Sequence, residues 1–300
     1  MAISAHSQAP PQRPTRLRRS HRRRLEEFLL QDVEANLFCL AWLEHRGIQA
    51  RKRGNYTYYG WFGDEGQLRA VALDISQRLL LMDTRRPEDA RGFGKFFRAR
   101  SVRFRHVVSR RRGVVPFWQV YADNSGGAPV IDARLIQDQR LYRLVPEDFD
   151  APSKPLSSVR RGSMTELDPI FLASVAMHRE ETKEDPMKRN PSTFHRHVRQ
   201  RVEKGRTFVC FGEDRRLVFK ADISTQCRQG CQISGVYTAP SMRNRGIATR
   251  AMRDICGTLF DEGLPRITLY VNEQNRAARR VYEKIGFVDV GAYQTIFVAD

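Results

Sequence analysis

The sequence predicts an α/β protein with mixed parallel and antiparallel sheets, arranged as two domains. Three observations carry this reading. The chain has 300 residues, which suits two domains better than one. Apolar residues make up 41% of it and recur at helical spacing in some stretches and as short strand-like runs in others. A stretch without periodicity, VPEDFDAPSKPLSS, then divides the chain near its middle. The boundaries that follow are a basic disordered tail at 1–24, an N-terminal α/β domain at 25–145, a linker at 146–157 and a C-terminal domain at 158–300.

In the first domain, Leu25, Phe28, Leu29, Val33, Leu37, Leu40 and Leu43 keep helical spacing and predict one helix over 25–45. Residues 56–61 and 68–75 read as strands joined by the turn GDEG, and 79–82 as another strand. Residues 90–100 are mildly helical. The run VVPFWQVY at 114–121 reads as a strand, with Pro116 marking an edge or bulge. Residues 135–142 close the domain with a mixed signal.

The second domain opens with a short strand at 159–161 and a helix at 166–180 that Ser163 or Thr165 can cap. A second helix follows at 193–203. Residues 207–211, 216–222 and 231–238 read as successive antiparallel strands. Ile247, Ala251, Ile255 and Leu259 form one apolar face of a helix at 245–260. A strand at 266–271, a helix at 274–285 closed by Gly286, and strands at 287–290 and 295–298 complete the pattern. No internal sequence repeat is visible.

Composition removes several function classes. No apolar run reaches the roughly 18 residues of a membrane span. Five cysteines, an odd number, make no disulfide framework and suit a reducing compartment, the cytoplasm. Cys227 and Cys231 lack a second pair for structural zinc, and Cys39, Cys210 and Cys256 sit in apolar contexts. No metal site is expected, and His195 and His197 at i,i+2 do not share a helix face. The start carries no apolar segment of a secretory signal. The net charge is +18, but the first 24 residues hold seven Arg and no acid, so a large part of the excess rides on the tail. A nucleic-acid surface built from 98–112 with Tyr56, Tyr58, Tyr59 and Trp61 is therefore conceivable but not favoured over a solvated basic segment.

The chemistry gathers at a strand, a turn and a helix: ISGVYTAP, SMRNRG, IATRAMRDIC. Arg243, Gly246 and Ala248 form the spacing R-x-x-G-x-A. A helix N-terminus has four backbone N–H groups without helical partners and a dipole that favours an anion. Small residues at Gly246 and Ala248 let a diphosphate approach that backbone, and Arg243 and Arg245 add positive charge. The fingerprints G-x-G-x-x-G and G-K-[ST] are absent, so this is neither a Rossmann turn nor a P-loop.

Together, VYTAPSMRNRGIATRAMRDI and LYVNEQNRAARRVYEKIGF resemble the GNAT superfamily of N-acetyltransferases, strongly over 231–290 and plausibly over 158–300. The resemblance implies the acetyltransferase fold and a bacterial two-domain type. In that type the front domain is less conserved and can be a degenerate copy of the same fold. It implies acetyl-CoA as cosubstrate and transfer of its acetyl group to a primary amine by direct attack. Val236, Tyr237, Thr238, Arg243, Asn244, Arg245, Gly246, Ile247, Ala248 and Thr249 are then the cofactor-binding strand and turn. An N–H near Val236 would face the thioester carbonyl. Asn275 and Ala278 would border the cofactor, although Asn275 could equally cap a helix. Tyr282 matches the family tyrosine near the sulfur, a candidate acid for the departing thiolate.

The general base is open. Glu180 and Glu181 end the first helix of this domain, with His178 nearby and less favoured. The central strand, ISGVY, departs from family members that carry a Glu there. Two alternatives stand beside the leading reading: an aminoacyl-tRNA-dependent transferase of the same fold, and a non-catalytic CoA-binding protein. The acceptor, a small molecule or a protein or peptide amine, is not legible, nor is the oligomeric state. No membrane partner is expected.

Overall fold

A computed structural model describes residues 13–48, 56–123, 130–151 and 158–299. The chain forms two compact units, Met1–Gln139 with Ala292–Asp300, and Arg140–Gly291. Among the described residues, no helix is long and apolar enough to cross a membrane.

The first unit starts earlier than its pattern predicts. The expected tail at 1–24 lies outside the described residues only as far as 12. After that, β1 (Thr15–Arg16) pairs antiparallel with β2 (Tyr56–Phe62), and Leu17 is 1% exposed. Buried Pro14 and Leu17, with the backbone pairing to β2 and the Leu17 N–H donating to Tyr58 O at 2.8 Å, anchor the segment. The single helix expected over 25–45 is two: α1 (Arg22–Leu30) and α2 (Val33–Arg46). Asp32 breaks them, its Oδ1 accepting from Ala35 N at 3.2 Å as the cap of α2. Strands β2, β3 (Leu68–Ile75) and β4 (Leu79–Thr84) form an antiparallel meander. The helix α3 (Pro87–Arg98) leads to β5 (His106–Arg110), which lies parallel to β4.

The run at 114–121 is not a strand. It belongs to α4 (Arg111–Tyr121). Val114, Phe117 and Tyr121 are buried at helical spacing against the α3 side of the core. Their packing outweighs both β-type composition and the hydrogen bond lost at Pro116. The basic stretch 98–112 is thereby divided among the end of α3, the strand β5 and the start of α4.

The strand β6 (Ala133–Leu144) carries the chain into the second unit, and Phe149 and the Asp150 amide then dock there, on Phe260 and the Ile285 carbonyl. That unit holds β7 (Arg160–Arg161), α5 (Leu167–Thr182), α6 (Pro186–Arg189) and α7 (Pro191–Glu203). Next come β8 (Thr207–Phe211), β9 (Leu217–Cys227) and β10 (Gly230–Thr238), then α8 (Ile247–Asp261), β11 (Ile267–Asn272) and α9 (Arg276–Glu283). Its strands run β11-β10-β9-β8-β7, with β10 and β11 parallel and the other recorded pairs antiparallel. Ile255, Leu259, Ile267, Leu269, Phe287 and their neighbours form its main core. The two strands expected at the end of the chain are one, β12 (Val288–Val298). Its residues Tyr293–Phe297 pair with β5 in the first unit.

A repeat invisible in the residues is plain in the topology. Each unit reads helices, three antiparallel strands, a helix, a parallel strand and a helix. The halves share the order of elements without a visible sequence repeat.

Candidate active site

Two irregularities of β10 shape the candidate site. Its pairing with β9 steps from Ser234–Asp222 to Tyr237–Lys220, so Gly235 and Val236 together stand opposite one residue. Gly235 takes φ +58°, and a Cβ there would lie 2.7 Å from Asp222 Oδ2. On its other edge, β10 pairs with β11 only as far as Ile233–Leu269, although β10 continues to Thr238 and β11 to Asn272. The half-buried segment 234–238, with Val236, Tyr237 and Thr238, is therefore a strand edge without its parallel neighbour.

The chain then enters α8. Gly246 is its N-cap at φ +72°, with no capping side chain, and no atom lies within 4 Å of where its Cβ would be. Asn244 is also left-handed, at φ +61°. The first turn of α8 contains no acid. Arg243, Asn244, Arg245 and Gly246 are exposed, Ile247 is buried as an anchor, and Ala248 and Thr249 are half-buried. Open N–H groups, a bare approach at Gly246 and neighbouring cations make a cradle suited to a diphosphate. The corresponding helix of the first unit, α3, starts with Pro87, Glu88 and Asp89, which would repel an anion.

Arg243 is already engaged. Its Nη2 donates to both carboxylate oxygens of Glu180 at 2.9 Å, and its Nε donates to Thr238 O at 3.0 Å. Burial, assisted by Glu180, raises the Tyr237 phenol above its ordinary range. Glu181 remains exposed, yet the protein around its carboxyl pushes it above the ordinary glutamate range, Lys220 opposing and Glu180 and Asp222 adding. Burial also raises the Tyr282 phenol, with the Glu181 charge contributing. His178 stacks edge-on to Phe194 at 5.3 Å, a packing contact. Asn275 Oδ1 accepts from Ala278 N at 3.0 Å and so caps α9, while half-buried Ala278 packs on the core.

Sequence reasoning passed over Lys220 and Asp222. In LVFKADIS the alternation suggests a polar face in water. Instead α5 covers that face, Lys220 is 0% exposed and Asp222 is 2% exposed. Their Nζ–Oδ2 distance is 2.7 Å. A Lys and an Asp at i,i+2 on one strand between apolar neighbours was the available signal. The five cysteines are all buried and unbridged, and burial pushes the Cys231 thiol up to about 12.

The bulge in β10, its parting from β11 and the acid-free start of α8 all fall within a stretch that matches a known family model. Residues 175–287 match the family model described as Acetyltransferase (GNAT) family. Proteins named as uncharacterized N-acetyltransferases of Mycobacterium tuberculosis and Mycobacterium bovis are 30% identical over 82 residues, 27% of this chain. The chain spans about half the length of these relatives, 53%. A GCN5-related N-acetyltransferase from Sphaerobacter thermophilus superposes with TM-score 0.62 at 13% identity, covering 96% of both chains. A tandem GNAT protein from the clavulanic acid biosynthesis pathway superposes with TM-score 0.53 at 10% identity, covering 95% of this chain and 97% of that one. At such identities the likeness is one of fold.

Proposed function

We propose that this chain is an acetyl-CoA-dependent N-acetyltransferase that acts on a primary amine by direct attack. One observation carries the reading: the unpaired edge of β10 leads, through the turn at 239–246, into the uncapped, acid-free start of α8. When bound, acetyl-CoA would supply an activated acetyl group as its thioester. The backbone of 245–249 would bind the diphosphate, with charge from Arg243 and Arg245. The edge at 236–238 would pair with amides of the extended arm, as an added strand would. Val236 N–H would stabilise charge developing on the acyl oxygen. Glu181 would accept the proton of the attacking ammonium. Tyr282, kept protonated by burial, would hold a proton for the leaving sulfur. Asn275 and Ala278 would border the site at the start of α9. The second unit is the catalytic one in this reading, and the first is a copy of the fold without the anion cradle.

Calorimetric titration with acetyl-CoA, with CoA and ATP as controls, tests this. Saturable one-site binding of acetyl-CoA and CoA is expected, lost in a folded Gly246→Trp variant. Absence of binding to folded protein, or equal binding of ATP, would overturn the reading.

A further inference from the structure

Lys220 is a fully buried ammonium that the proposed chemistry does not use. Its Nζ lies 2.7 Å from Asp222 Oδ2 and donates to the Gly235 carbonyl at 3.1 Å. Asp222 is held in turn: Thr207 Oγ1 donates to its Oδ1 at 2.8 Å, and Arg201 Nε stands 3.6 Å from its Oδ2. Met177 of α5 closes over the bulge, its Sδ 3.3 Å from where a Gly235 Cβ would lie. A Cβ there would also approach Lys220 Nζ to 3.3 Å, so only glycine lets the bulge rest on the pair. Burying an ion pair is costly unless its geometry and remaining hydrogen bonds are supplied. Here a second hydrogen bond of the ammonium goes to one particular peptide.

That peptide joins Gly235 to Val236. A trans peptide is planar, with its C=O and N–H antiparallel. Holding the Gly235 oxygen therefore fixes the direction of the Val236 N–H. The bulge takes this peptide out of the β9 ladder, so the ladder cannot fix it. We infer that Lys220, clamped by Asp222, is a positioning residue that sets the Val236 N–H for its role toward the acyl oxygen.

This rests on the acetyl-CoA reading, and the test separates the two. Wild type, Lys220→Met combined with Asp222→Asn, and Lys220→Arg are compared. Removing both charges avoids an unpaired buried ion, and Lys220→Arg keeps a donor and a charge. Each is titrated with acetyl-CoA and with CoA, its thiol release from acetyl-CoA in water is followed, and its ¹⁵N-labelled amide spectrum is recorded. In wild type the Val236 amide should shift differently with acetyl-CoA than with CoA. In the double variant that difference should vanish. Thiol release should fall by about 10-fold or more, less than or equal to the loss of a whole oxyanion donor, while the dissociation constant changes by no more than about twofold, within the scatter of additive effects. Lys220→Arg should restore part of both signals.

Retention of the Val236 difference and the rate in the double variant overturns the inference while leaving the functional reading intact. So does an equal loss of binding and rate. If the double variant does not fold, the wild-type spectrum and Lys220→Arg decide. No acyl-specific Val236 shift in wild type, or an unchanged rate in a Lys220→Arg variant that has lost that shift, overturns it. Wild type that binds neither acetyl-CoA nor CoA overturns the functional reading itself.

Discussion

Arg243 Nη2 lies 2.9 Å from both carboxylate oxygens of Glu180, although 63 positions separate the two residues. The same guanidinium donates to the end of β10 at Thr238 and sits 5.8 Å over the Tyr237 ring. The link therefore ties the last turns of α5 to the anion cradle. Both side chains are substantially exposed, 41% for Arg243 and 50% for Glu180, so water screens the pair and its worth is about 0–1 kcal/mol. A diphosphate in the cradle would compete for this cation against a weak partner.

Removing the competitor should help the ligand. Glu180→Gln frees the Arg243 guanidinium and deletes a negative charge beside the cradle. Acetyl-CoA should bind about two- to fivefold more tightly at low ionic strength, the most that ~1 kcal/mol allows. The gain should shrink near 1 M salt, where screening acts within about 3 Å. Calorimetry at two salt concentrations checks this. Weaker binding in Glu180→Gln would mean that the carboxylate positions Arg243 for the ligand.

Two glycines of the second unit should respond very differently to alanine. Gly246, at φ +72°, has open space around a prospective Cβ, so only the backbone conformation resists substitution. Gly246→Ala should lower stability by about 1–2 kcal/mol, and Gly246→Asn by less, because Asn tolerates the left-handed region. At Gly286, φ is +104° and a Cβ would stand 1.8 Å from the Asp148 carbonyl oxygen. Backbone cannot yield as a flexible side chain does, so Gly286→Ala should cost more than about 4 kcal/mol or prevent folding. Urea titrations of the variants check the order.

The second unit was the more legible half because its signals are local. The apolar face at Ile247, Ala251, Ile255 and Leu259 is written at helical period, and R-x-x-G-x-A lies within six residues. What escaped depends on distant partners. Lys220 and Asp222 look like a solvated face until α5 covers them. The bulge at Gly235 is a relation between two strands, and no single strand encodes it. In the first unit, Val114, Val115, Phe117 and Trp118 have β-type composition, yet the buried spacing of Val114, Phe117 and Tyr121 is helical. Composition outvoted period there. The topological repeat is similarly a property of pairing order, which no single stretch of residues displays.

The raised carboxyl of Glu181 sets a pH dependence. Desolvation of the carboxyl by the protein packed around it is the main cause, although the residue keeps an exposed face, so its proton leaves at higher pH than that of an ordinary glutamate. A base must be deprotonated to act, so transfer to an amine should rise with pH through an acid limb above the ordinary glutamate range. The same shift means that the folded state holds this proton more tightly than the unfolded chain. Its contribution to stability is therefore fully present below the ordinary glutamate pKa and lost as pH rises through the raised one. Glu181→Gln should abolish the limb and reduce the rate by about 10²–10⁴-fold. Rate–pH profiles for wild type and variant, with a panel of primary amines, check this. An unchanged acid limb in Glu181→Gln would assign the proton transfer elsewhere.

The end of the chain should matter most to its beginning. Tyr293–Phe297 pair with His106–Arg110, and Ile296 is buried in the cluster that contains Phe93, Phe97, Val107 and Phe117. This strand supplies β5 with the neighbour opposite β4, and without it the β5 backbone would lose ladder bonds on that side. Ile296→Ala removes buried methyl groups and should cost about 2–5 kcal/mol. The loss should be local in kind. Amide hydrogen exchange should accelerate first in β5 and α4, which share that cluster, while Ile255, Leu259 and Leu269 in the separate core of the second unit keep their protection. If exchange instead rose first around α8 and β11, β12 would be completing the second unit, and the assignment of 292–300 to the first unit would have to be abandoned.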